Sequence, residues 1–140
     1  VALSGHASGI YLLLAGTTNH MQCHQENGVV RVSYQDGTES RLSLVNPENW
    51  APIEQDYYLD GNAFRSQAPR PYRLLLATGE VSNDLEQSCA LKGFNDRRIP
   101  GGAGILLYLP LEKNKSLKNF TIETKANEVV IGLIAATLID

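Results

Sequence analysis

The chain has 140 residues, 43% of them hydrophobic and 19% charged, and a formal net charge of −3. These values suit one globular domain able to bury a core and exclude a disordered chain. The weak negative charge argues against a nucleic-acid partner, which needs a basic patch, and no apolar run approaches the length of a membrane-spanning helix.

The chain opens with VALSGHASGIYLLLAG, which has no basic region ahead of its apolar stretch and does not read as a signal peptide. It begins with Val, and the expectation is a segment of a longer protein. Gly9 to Ala15 is an apolar run too short for a typical helix, hence a strand, ended by Gly16. His20 to Gln25 reads as a second strand, and Glu26-Asn27-Gly28 as a turn, since Asn and Gly tolerate positive φ. Val29 to Gln35 alternates, with Val30, Val32 and Tyr34 on one side and Arg31, Ser33 and Gln35 on the other. Asp36-Gly37 then turns the chain into a partner strand over Glu39 to Val45.

Asn46 to Pro71 is a long loop rich in Pro, Asn and Asp that holds Trp50, Tyr57, Tyr58 and Phe64. Long loops in small domains are usually functional or disordered, and the aromatic content argues against disorder. Tyr72 to Thr78 is a further strand, and Asn83 to Leu91 a helical turn with Asn83 as cap. Phe94 to Gly104 is irregular, Ile105 to Leu109 a strand stopped by Pro110, and Asn119 to Lys125 an alternating strand. Asn127-Glu128 turns into Val129 to Leu138, expected as a buried closing strand. The expected fold is therefore all-β, an antiparallel β-sandwich of jelly-roll type with about eight strands, with an eight-stranded barrel as competitor. One domain is expected over residues 1 to 140.

Candidate chemistry is sparse. His20 and His24 have the spacing of a helical zinc pair but lie on a predicted strand. Cys23 and His24 are adjacent, so on a strand they point to opposite faces and do not form a dyad. Cys23 and Cys89 do not make a disulfide framework, and the sequence leaves their pairing open. Gly101-Gly102-Ala103-Gly104 lacks the Lys-Ser/Thr of a phosphate loop. Lys113, Lys115, Lys118 and Lys125 read as a solvated rim. The remaining constellation is Trp50, Glu54, Asp56, Tyr57 and Tyr58, joined by Arg70 and Arg73. Aromatic faces with nearby polar groups can hold a sugar. The same residue types also suit a domain interface or simple filling of the sandwich mouth. Glu54, Asp56 and Asp60 are the acids that a self-contained hydrolase would use.

Several segments resemble a known family: GIYLLLAGTTNHMQ from Gly9, VRVSYQDGTESRLSLVNPENWAPIEQDYYLDG from Val30, PRPYRLLLATGEVS from Pro69, IPGGAGILLYLPL from Ile99 and LKNFTIETKANEVVIGLIAATL from Leu117. Together they are similar to the galactose-binding-like β-sandwich module of large bacterial glycoside-hydrolase-like proteins. The resemblance implies a secreted or periplasmic setting. It implies a non-catalytic accessory domain beside a catalytic domain of the same chain, bracing it or weakly binding polysaccharide. It hands over no catalytic residue and no cofactor. Some such domains hold a structural calcium, but the acidic loop here has no matching ligand pattern.

Overall fold

The computed structural model describes residues 1–56, 66, 68–89, 91 and 97–140. Eight strands form two antiparallel sheets: β1 Gly9–Thr17, β2 Glu26–Tyr34, β3 Glu39–Val45, β4 Tyr72–Leu75, β5 Val81–Ser82, β6 Ala103–Pro110, β7 Leu117–Thr124 and β8 Val130–Ile139. One sheet has the order β5-β4-β6-β1-β8 and the other β3-β2-β7. The expected all-β sandwich is what the chain forms, as two open sheets rather than one closed barrel.

The core lies between the sheets. Period-two alternation aims Ile10, Leu12 and Leu14 of β1 and Ile105, Leu107 and Leu109 of β6 inward. They meet Val30, Val32 and Tyr34 of β2, Leu44 of β3, and Leu117 and Phe120 of β7. Tyr34 is fully buried and satisfies its hydroxyl with Ser40 Oγ at 2.6 Å and the Glu112 amide at 2.9 Å. A second, smaller cluster of Leu75, Leu85, Ile99 and Ala103 sits around a short helix, α1 Leu85–Cys89. Asp84, not Asn83, directly precedes that helix, and its carboxylate accepts the Gln87 amide.

Three expectations are corrected. The predicted strand over His20 to Gln25 is a 3-10 turn over His20–Gln22, because the Asn19 side chain accepts the Met21 amide and offers the backbone a local alternative to a ladder. Glu26 to Gly28, read as a turn, starts β2 with a register shift. A Cβ on Gly28 would displace the Ile131 Cδ1 methyl and press on the Glu123 carbonyl at 3.1 Å. The third correction concerns β8, read as buried. It is the edge of the larger sheet, and nine of its ten residues are exposed, with only Ile131 half-buried. Apolar composition implies a need for cover, yet within this strand Ile131 alone is partly buried against the main core. The cysteines, whose pairing the sequence left open, are both free.

Candidate functional site

The loop after β3 folds back onto the larger sheet, and Arg73 holds it there. Arg73 points inward from β4 and is 1% exposed. Its guanidinium donates to the carbonyls of Pro52 (3.0 Å), Gln55 (3.1 Å), Ala103 (3.0 Å) and Gly104 (3.3 Å). Two of these carbonyls belong to the loop and two to β6, so one planar fork staples the loop to the sheet. The backbone adds Ile53 N–H to the Gly16 carbonyl and Ala103 N–H to the Ile53 carbonyl, both at 2.8 Å.

Trp50 is fully buried in the main core. A Cβ on Gly16 would come within 3.1 Å of its ring. Of the three readings open for the loop aromatics, Trp50 therefore takes core filling: its indole has no face free to stack on a sugar. Tyr57, Tyr58, Asp60 and Phe64 lie outside the described residues. Asp56 is 1% exposed and faces two arginines, Arg97 at 2.5 Å and Arg70 at 3.9 Å. Arg97 also reaches Glu86 at 3.0 Å. This chain of charges borders an open groove of about 480 Å³ lined by Pro69, Arg70, Asn83, Asp84 and Glu86. Glu54 is exposed, and its carbonyl accepts the Ile99 amide. The structure thus joins Asp56, Arg70 and Arg97 into one polar cluster. It sets Trp50 and Arg73 apart as buried scaffold.

The histidines do not form a metal pair. His20 Nε2 lies 2.8 Å from Gln55 Oε1, while His24 is exposed with φ of 54°. Among the described residues no group of His, Cys, Asp and Glu is arranged to hold a metal ion. Burial pushes the Cys89 thiol up, which opposes a nucleophilic role.

The more unusual surface is the outer face of the larger sheet, which the sequence reading did not single out. The register aligns Tyr72 with Leu106, Leu106 with Leu13, and Leu13 with Ala135 in one row. The next row aligns Tyr108, Tyr11 and Thr137. Leu74 and Val81 extend the face toward the other edge. Among the described residues of its strands, no charged residue points out from this face. Tyr11 is 43%, Tyr108 45% and Tyr72 51% exposed, as are Val81, Val130, Ile134 and Ile139 by a third or more. With about 150–250 Å² for each full aromatic side chain and somewhat less for the aliphatics, these seven residues expose on the order of 550 Å². That lies at the upper end of the roughly 300–600 Å² of the largest apolar patch on a typical monomer.

The tyrosines are positioned by the sheet. Tyr108 lies across Gly9, where a Cβ would fall 2.3 to 2.5 Å from the phenol atoms. Its ring centroid is 4.8 Å from that of Tyr11, tilted by 44°. The other sheet shows the contrast. Its outer face carries Arg31 between Glu39 (3.5 Å) and Glu123 (2.5 Å), and Arg41 against Glu26 (2.6 Å). One face is solvated and ion-paired; the other is uncharged and aromatic.

No family model, curated protein or solved structure matches this chain.

Proposed function

We propose that this chain is a non-catalytic β-sandwich accessory module that braces a neighbouring domain of its own protein through the outer face of the larger sheet. The observation that carries the reading is the uncharged face bearing Tyr11, Tyr72 and Tyr108, opposite a fully ion-paired face. An apolar face of this size is often a contact surface in the working protein. The resemblance supplies the rest of the proposal: a galactose-binding-like jelly-roll module beside a glycoside-hydrolase-like catalytic domain, secreted or periplasmic. A self-contained hydrolase could not draw on Asp56, which is committed to Arg97 and Arg70 rather than poised to move a proton, and would rest on Glu54 and Asp60.

Glycan binding is kept as a second reading for one reason. Tyr108 lying on Gly9 beside Tyr11 offers aromatic surface to a sugar ring. Among the described residues no amide or charged side chain of the sheet face stands beside that platform to fix hydroxyls, so bracing is preferred. The test compares tyrosine labelling by tetranitromethane in the isolated chain and in the longer protein that carries it. Bracing requires Tyr11, Tyr72 and Tyr108 to react in the isolated chain and to be protected in the longer one. Equal labelling in both, together with protection by added oligosaccharide, favours the glycan reading instead.

A further inference from the structure

Sandwich edges need management, because an unpaired strand edge recruits another strand. Among the described residues three of the four edges here are managed. The β7 edge is covered by the N-terminal segment: Leu3 N–H donates to the Lys118 carbonyl, Phe120 N–H to the Val1 carbonyl and Leu117 N–H to the Gly5 carbonyl, at 2.8 to 2.9 Å. Ala2 bridges Asn119 in the same run. The β3 edge carries Glu39 and Arg41, and β5 has only two residues. The β8 edge has ten residues, no charge and no proline. Its one irregularity is the bulge at Ile134, where Leu13 faces Ala135 and Leu14 faces Leu133.

β8 is also uncovered on both sides. Val130, Ile134 and Ile139 are 63%, 50% and 36% exposed. Leu133 and Leu138 lean toward the smaller sheet and are still 39% and 38% exposed. A partner strand beside β8 would cover both sets at once, as packing on the outer face alone would not.

We infer that β8 pairs antiparallel with β8 of a second copy of this chain about a two-fold axis, joining the two larger sheets into one ten-stranded sheet. Charge favours this occupant. No charged residue lies between Val130 and Ile139, so self-pairing sets no like charges opposite each other. The flanking Glu128 carboxylate is turned back onto the Asn19 amide. Shape also fits. With the axis between residues 134 and 135, the bulged Ile134 meets the small Ala135 of the second copy. The exposed β8 surface is roughly 500 Å² per copy, so pairing removes at most about 1,000 Å², the lower limit for a specific interface. The dimer is therefore weak, dissociating in the micromolar range.

The test is sedimentation velocity on the 140-residue chain across a concentration series from about 1 to 300 μM, for wild type, Ile134→Lys and Tyr72→Lys. Both substituted positions are half-exposed, and circular dichroism confirms that each variant is folded. The expected result is a monomer–dimer equilibrium that Ile134→Lys abolishes and Tyr72→Lys, far from the edge, leaves intact. A wild-type chain that stays monomeric throughout overturns the inference. So does a dimer lost in Tyr72→Lys but kept in Ile134→Lys, which would place the contact on the sheet face. Association that continues past the dimer also overturns it, since a two-fold contact closes on itself. A wild-type chain that stays monomeric leaves the bracing reading standing, since that concerns Tyr11, Tyr72 and Tyr108 in the longer protein, whereas a dimer lost only in Tyr72→Lys would give that face to a second copy instead.

Discussion

Replacing Arg73 by Met removes the fork that ties the loop to β6 while keeping side-chain volume. Four buried or half-buried carbonyls, at Pro52, Gln55, Ala103 and Gly104, lose a charged donor. Hydrogen bonds to charged groups contribute about 1.5–3 kcal/mol each. Against this stands the cost of burying the guanidinium, several kcal/mol in the folded wild type, which the variant recovers. The balance is a loss of about 3 kcal/mol, a large share of the ~5–15 kcal/mol available to a domain. For this chain length that lowers Tm by roughly 10 °C. Urea unfolding of both proteins measures the difference. Arg73→Lys retains the charge but lacks the planar fork, so it falls between the two. A Met variant within 1 kcal/mol of wild type would refute the stapling role.

Trp50 is the only tryptophan, so its environment can be read alone. Its fluorescence is expected to be blue-shifted and poorly quenched by acrylamide, and Trp50→Ala is expected to cost about 3–5 kcal/mol in urea melts. Acid stability has a defined window. The Lys125 ammonium and the Arg31 guanidinium hold the Glu123 carboxyl down at about 2. A depressed folded-state value stabilises above the ordinary carboxylate range, and that contribution disappears as pH falls from about 4.5 toward 2. Glu123→Gln should flatten the stability curve in that window and leave its slope between pH 6 and 8 unchanged. Cys89, pushed up by burial, should react with a disulfide reagent at pH 7 more slowly than a model thiol, and unfolding in urea should remove the difference.

Much of the fold was legible because three of its strands alternate. Val30, Val32 and Tyr34 against Arg31 and Ser33 announced a strand with one wet face, and β2, β3 and β7 do form the sheet with the solvated outer face. The other strands read differently: YLLLA, YRLLLA, ILLYL and VVIGLIAATL are continuous apolar runs. Continuous runs mark strands covered on both sides, and they all assemble into the larger sheet. The same runs mark the apolar outer face of that sheet. Trp50 illustrates the limit. An aromatic beside Pro and acids looks the same in sequence whether it faces a ligand or the core, and only the fold-back of the loop decides. Arg73 was equally opaque, since an arginine among leucines reads as solvent-facing unless the carbonyls that need it are known. The 3-10 turn at His20–Gln22 depended on one Asn19 side chain outcompeting a ladder.

The central claim, that the uncharged face of the larger sheet is a covered face in the working protein, is tested most directly by hydrogen–deuterium exchange and tyrosine labelling on the isolated chain and on the longer protein. The account predicts that Tyr11, Tyr72 and Tyr108 lose reactivity in the longer protein while Arg31, Arg41 and Glu123 on the opposite sheet keep their exposure. Unchanged tyrosine reactivity, or protection appearing on the ion-paired face instead, would contradict it.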